Sequence, residues 1–258
     1  MNATKKIKTI VKFFIPEFIL KFREDYKMKQ GARKLNEQSD ARFANKSPAE
    51  VFTIIYENKL WGKDKSFDFY SGSGSHDDIY VNPYVTAVQA LLKTLPHKPD
   101  VVDLGCGDFN IGTKLRRLGN RYIACDVVAS LIERNKAAFK DLDVDFRCLD
   151  ICADPLPPGE VVFIRQVLQH LSNRQILDVV KKLSAYKFLI LTEGLPAKPN
   201  FKANEDKPIG DGVRFQRGSS SGVVLTLPPF NLAPASEAVI CEIPCGEAVI
   251  RTIAYQLK

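Results

Sequence analysis

Apolar and polar positions along the chain alternate between short apolar runs and longer amphipathic segments. Val101, Val102 and Leu104 end at a glycine turn. Tyr122–Asp126, Val144–Cys148, Val161–Ile164 and Phe188–Thr192 are further short runs rich in β-branched and aromatic residues. Between them, residues 128–140 and the set Ile176, Leu177, Val180 and Leu183 carry helical spacing. Strand–helix–strand order predicts a parallel α/β sheet, and near-continuous apolar runs are those buried on both faces. Val239–Ile243 and Ala248–Tyr255, joined through Pro244-Cys245-Gly246, predict a closing β-hairpin.

Upstream, Ser47-Pro48-Ala49-Glu50 predicts a helix start: serine as cap, proline at the first turn and glutamate completing a capping box. Val81, Val85, Val88, Leu91, Leu92 and Leu95 predict the helix that leads into the first strand. Residues 31–47 are polar and read as a linker, and residues 195–236 as a long irregular segment that serves as a lid. Residues 5–30 space Ile7, Ile10, Val11, Phe14, Phe18, Ile19, Phe22 and Tyr26 by threes and fours around Pro16, which predicts two short one-faced helices.

Charge changes this picture in one place. The 258 residues carry a formal net charge of +7, and the first 34 hold ten Lys and Arg against Glu17, Glu24 and Asp25, which accounts for all of it. The remainder is balanced, so nucleic acid is not the expected partner. Two readings fit the arm over 1–34: it lies on an anionic membrane surface, or it packs on its own domain or a second subunit. The sequence contains no run of about 18 uncharged apolar residues and no cleavage signature, which predicts a cytoplasmic protein. Six cysteines without a Cys-x-x-Cys pair read as reduced thiols, and no metal site is expected. The domains expected are the arm 1–34, the linker 35–47 and one catalytic domain over 48–258.

The chemistry gathers at Asp103-Leu-Gly105-Cys106-Gly107-Asp108. Gly105 and Gly107 allow a tight turn beneath a ligand, but Asn110 stands where a dinucleotide fingerprint needs its third glycine. Asp103 supplies a carboxylate better suited to a cationic ligand than to a pyrophosphate. Asp126 ends the next strand about 20 residues on, where a ribose-binding acid stands, with Val127 beside it. Strand-end capping is the other reading of both acids.

Val102-Asp-Leu-Gly-Cys-Gly107 resembles the first motif of the class I S-adenosylmethionine-dependent methyltransferases. The resemblance implies a Rossmann-like, seven-stranded sheet with an antiparallel C-terminal hairpin, helices on both faces, and S-adenosylmethionine as cofactor. It implies that Asp103 meets the cofactor's positive end, Asp126 its ribose, and Asp150 with Ile151 its adenine. Tyr56-Glu-x3-Trp61-Gly62 followed by Ser71-Gly72-Ser73-Gly74-Ser75 resembles a bacterial subset associated with surface-glycan synthesis, in which this loop closes over the cofactor. Exposed amides and hydroxyls at Ser71 and Gly72 would bind the methionyl carboxylate, although a flexible linker would have the same composition.

Arg165 and Gln166 follow the fourth strand, near where the methyl group would lie, in place of the Asn/Asp-Pro-Pro-Tyr box of amino-group methyltransferases. An oxygen acceptor is therefore expected: a sugar hydroxyl of a surface or lipid-linked glycan. A phenol or carboxylate, or a silent cofactor-binding protein, are the alternatives. His170 is read as the general base or as a helix-cap residue, with Glu193 in reserve and Asp108 positioning the acceptor. A histidine base predicts activity that falls as pH drops through about 6.5.

Overall fold

The computed structural model describes residues 30–31, 33–62, 68–217 and 220–258. The arm expected over 1–34 falls almost wholly outside them. Residues 33–43, expected to belong to a linker, are helical. Phe43 explains the difference, because its ring is buried against Val51 and Ile55, the first residues of a small core. Helix α1 (Pro48–Glu57) starts at the expected capping box, with Ser47 and Glu50 bonded reciprocally. A single helical turn, α2 (Ser73–His76), replaces the expected serine–glycine loop, and Gly72 before it has φ 85°. Helix α3 (Asp78–Lys93) leads into strand β1 (Val101–Leu104).

The alternation then proceeds through α4 (Asn110–Leu115), β2 (Tyr122–Asp126), α5 (Ala129–Ala138), β3 (Asp145–Cys148), β4 (Val161–Arg165), α6 (Asn173–Leu183) and β5 (Phe188–Pro196). Strands β6 (Ser236–Cys245) and β7 (Ala248–Gln256) close the chain. The seven strands lie in the order β3-β2-β1-β4-β5-β7-β6, and β7 alone runs against the rest. β5 runs four residues past its expected end because β7 pairs with it over nine positions, from Phe188↔Gln256 to Pro196↔Ala248.

Successive side chains on a strand point to opposite faces. Val102, Leu104, Val162, Ile164, Leu189 and Leu191 pack on one face with Ile176, Val179 and Leu183 of α6. Val101, Tyr122, Ala124, Val161, Phe163 and Ile190 pack on the other with Val81, Val88 and Leu92 of α3. Both faces are covered, which is why the strands read as continuous apolar runs. The carboxyl ends of β1, β2 and β4 then share one edge, where loops rather than side-chain layers meet.

Candidate active site

A cavity of about 510 Å³ lies over that edge. Its floor is the β1–α4 turn, where Gly105 and Gly107 take φ of 78° and 56°. A Cβ at Gly107 would lie 2.5 Å from the Ser71 hydroxyl oxygen, so the turn and the serine–glycine segment are in close apposition. The segment is also bonded there: Ser71 N–H donates to Asp108 Oδ2 at 2.9 Å, and Asp108 N–H donates to Ser71 Oγ at 3.0 Å. Asn110 Nδ2 adds a bond to the Ser75 carbonyl at 2.6 Å, and Tyr56 shares a hydrogen bond with Ser71 at 3.0 Å. These side chains turn a sequence that reads as a flexible loop into a fixed wall.

Of the twelve residues expected to hold the cofactor, Ser71, Gly72, Gly105, Cys106, Gly107, Asp126, Val127, Asp150, Ile151, Arg165 and Gln166 line this cavity. Asp126 is buried, with Oδ2 accepting from Gly107 N–H at 3.0 Å and Oδ1 from Val128 N–H at 3.1 Å. Each oxygen keeps a lone pair, so the carboxylate fits a diol. Burial pushes its carboxyl up to about 6 against the pull of those amides. Asp150 folds back to accept from Cys152 N–H at 2.8 Å beside Ile151, an arrangement that leaves an acid next to an apolar face.

Asp103 is the exception. It lies on the face of β1 shared by Val101, so it points away from the main cavity into a side pocket of about 30 Å³. There it accepts from the Tyr122 hydroxyl at 3.0 Å, and burial pushes its carboxyl up to about 7. The direct contact with a cationic ligand expected of Asp103 is not supported by this geometry.

The three residues expected near the chemistry also separate. Glu193 does not reach the cavity: its carboxylate is buried and accepts from the Leu168 and Gln169 amides at 2.9 and 3.0 Å, capping the short helical turn 168–170. His170 lines the cavity but is unsuited to the expected base role. Its Nδ1 faces the Gly210 carbonyl at 3.2 Å, which can only accept, so the proton resides on Nδ1. Burial, with the Lys207 charge, pushes its pKa down to about 3. A loss of activity as pH drops through 6.5 therefore does not follow from His170. His170 is instead packed against Trp61 at 5.0 Å and Phe52 at 6.4 Å. His170→Ala is expected to cost about 1–3 kcal/mol of stability through lost packing, read as a lower melting temperature, with no change in the shape of the pH–activity profile.

Asp108 is in the cavity wall, and its partner His76 was not singled out from the sequence. His76 Nε2 lies 2.6 Å from Asp108 Oδ2, and its ring stacks on Tyr70 at 4.6 Å. Burial would raise the Asp108 carboxyl, but the bonds from His76, Asn110 and Ser71 outweigh it and leave its pKa below the ordinary value. A histidine at the end of a serine–glycine run gives no periodic signal, and its meeting with Asp108 depends on a fold that joins positions 32 residues apart.

The irregular segment roofs the cavity with Asp211, Gly212, Val213, Phe215 and Gln216. It is packed rather than loose. Arg214 is buried and donates to the carbonyls of Glu205 and Leu171, the latter at 2.6 Å. Asn204 takes Val224 N–H on its side-chain oxygen and donates to the Val224 and Pro228 carbonyls. Three residue pairs tie the roof to the N-terminal elements: Ser39 donates to Asp211, Arg217 donates twice to Asp40, and Trp61 Nε1 donates to the Asp211 carbonyl. Among the described residues no group of three or more His, Cys, Asp or Glu could hold a metal ion, and no helix is long and apolar enough to cross a membrane.

Residues 101–186 match the family model described as Methyltransferase domain. No curated protein matches the chain in sequence. Among solved structures, NodS from Bradyrhizobium japonicum WM9, an N-methyltransferase in complex with S-adenosyl-L-homocysteine (SAH), is similar with TM-score 0.56 and 12% identity, over 79% of this chain and 99% of that one. The N-terminal domain of EvdMO1, in the presence of SAH and D-fucose, is similar with TM-score 0.51 and 13% identity, over 88% and 97%. This chain spans about half, 49%, of the longer EvdMO1 chain. The bifunctional kinase-methyltransferase WbdD gives TM-score 0.50 and 16% identity, over 71% and 40%. The fold is the Rossmann-like class I methyltransferase fold.

Proposed function

We propose that this protein, built around a methyltransferase domain over residues 101–186, transfers a methyl group from S-adenosylmethionine to a sugar hydroxyl of a surface or lipid-linked glycan. The observation that carries the reading is one cavity lined by two kinds of residue. The first set is Gly105, Gly107, Asp126, Asp150 and Ile151. There Asp126 would bind the ribose diol, and Asp150 with Ile151 the adenine. The second set is Tyr80, Phe215, Cys245, Ala248 and Ile250, from α3, the roof and the β6–β7 hairpin. The cavity's volume lies in the range of about 300–1,000 Å³ found for small-molecule sites.

Phe215 with the aliphatic lining residues suits the C–H surface of a pyranose, and the Gln166 and Gln216 amides, also in the lining, suit hydroxyls. A solved structure of the same fold, the EvdMO1 domain, was obtained in the presence of a sugar, D-fucose. When bound, the cofactor supplies a methyl group already activated by its sulfonium. The chain's own task is alignment: the turn at Gly105, the wall at Ser71–Ser75 and the roof at Asp211–Gln216 fix the line along which an oxygen approaches.

One observation favours a second reading, an acidic acceptor such as a phenol or carboxylate. His170 is held neutral with a low pKa and Glu193 is turned away, so neither residue expected as a base suits a weakly acidic hydroxyl. Incubation with labelled S-adenosylmethionine separates the readings. Label in glycolipid extracts is the expected result, label only in phenols or carboxylates supports the second reading, and cofactor binding without turnover of any acceptor means a silent binding protein.

A further inference from the structure

The roof stands on two supports. On the sheet side the chain after β4 receives it: Gly210 N–H donates to the His170 carbonyl at 3.1 Å, Lys207 Nζ donates to the same oxygen at 3.0 Å, and Arg214 donates to the Leu171 carbonyl. The other support is the helix at 33–43. Ser39 Oγ donates to Asp211 Oδ1 at 2.5 Å, and the two terminal nitrogens of Arg217 donate to the two carboxylate oxygens of Asp40. The roof backbone lies close to this helix, since a Cβ at Gly210 would be 3.0 Å from the Phe43 ring. In sequence the bonded positions, Lys207 to Arg217, bracket the roof residues that line the cavity.

The two supports differ in charge. Lys207 and Arg214 are buried, and on the sheet side only carbonyls accept from them. A carbonyl satisfies the donor and leaves the charge without a counter-ion. The acids that face Lys207 are Asp40 and Asp211, and the Arg214 and Arg217 charges stand against it there. Burial, together with those two cations, pushes the Lys207 ammonium down to about 7. Asp211 belongs to the roof itself, whereas Asp40 is brought by the helix. Its two-point pairing with Arg217 is the stronger form of an arginine–carboxylate contact. The side chains are 27% and 19% exposed, so solvent screens this pair less than one on the open surface.

We propose that Asp40 is a positioning residue of the active site, which through Arg217 clamps the roof over the cavity and sets how fast the cofactor leaves. The inference rests on the methyltransferase reading above. Both residues lie outside 101–186, the stretch that matches the family model, so the clamp is an addition to that domain. The helix at 33–43, expected to be linker, becomes part of the site. Neither Asp40 nor Arg217 is among the residues that line the cavity. Removing either one therefore deletes no contact with the ligand and acts on the opening of the roof, a step of the kind that limits release in many enzymes.

Release of labelled SAH into an excess of unlabelled SAH tests the clamp. Asp40→Asn and Arg217→Gln are each expected to speed release by about fivefold or more, the lower end of couplings between distinct sites. The double variant should release no faster than the faster single one, because both substitutions remove the same pair. Asp40→Glu, which keeps the charge, should return most of the way to the wild-type rate. Added salt should speed release from the wild type and affect the two single variants less, since the pair it screens is already gone from them. Tyr186→Phe is the control for stability alone: it removes a buried bond to the Pro157 carbonyl and leaves the roof as it is. It should lower the melting temperature and keep the wild-type release rate. If Asp40→Asn does not fold, Arg217→Lys, which keeps the charge and gives up the two-point pairing, is held to the same criterion. A wild-type release rate in a folded clamp variant, or release that quickens equally in Tyr186→Phe, overturns the proposal while SAH binding by the wild type preserves the methyltransferase reading. Failure of the wild type to bind SAH at all overturns that reading and the proposal with it.

Discussion

Asp126→Ala is expected to weaken SAH binding by roughly 2–4 kcal/mol, because two ribose hydroxyls would enter a buried site and find no acceptor. The fold should survive, since the Asp126 side chain caps loop amides and is no part of the apolar layers. The pH dependence provides an independent check. Burial holds the Asp126 carboxyl at about 6, and hydroxyl donors bind its ionised form better. SAH affinity should therefore rise from pH 5 to pH 7 and then level off, with a proton released on binding at the lower end. The linked effect on stability has the opposite slope. An unfolded aspartate loses its proton near 4 and the folded one only near 6, so between those values the native state holds the extra proton. This contribution is present below pH 4 and is lost as pH rises through 6. Asp126→Asn should remove both slopes, and SAH titrations of that variant that retain the wild-type pH dependence would falsify the ribose assignment.

Gly105→Ala is the second large effect. The residue has φ 78°, which costs an alanine about 1–2 kcal/mol. Its Cβ would lie 2.4 Å from Val167 Cγ2, an overpacking worth a further 1–3 kcal/mol or so. A melting temperature several degrees lower and a large loss of SAH affinity are expected together, since the turn is also the cavity floor. Val167→Ala removes the collision and leaves the backbone conformation. The double variant should recover part of the stability, and a double variant no better than Gly105→Ala would mean that the dihedral alone sets the cost.

The strands were legible because their cause is local. A parallel sheet covered on both faces demands apolar residues at most positions, and β1, β2, β4 and β5 show them, with their polar residues toward the carboxyl ends. The capping box at Ser47 was legible for the same reason, since it lies within four residues. Asp126 and Asp150 reach the cavity lining because strand ends place side chains on one edge whatever lies elsewhere. Asp103 stands two residues from Val101, and that alternation places it on the face that Tyr122 occupies, which the spacing of the motif does not express. His76 and the roof residue Phe215 could not be read at all. The bond from His76 to Asp108 and the place of Phe215 against Gly194 exist only once distant segments are brought together.

The bonds between roof and N-terminal elements join residues 172, 177 and 150 positions apart. During synthesis the helix at 33–43 and α1 emerge early and wait for the segment that will meet them, while β1 to β5 can already form the floor. Contacts of such long separation are slow to close. A nascent chain ending before Asp211 therefore has the glycine turn and its acids but an open trough above them. Cofactor retention should be among the last properties the ribosome confers on this protein.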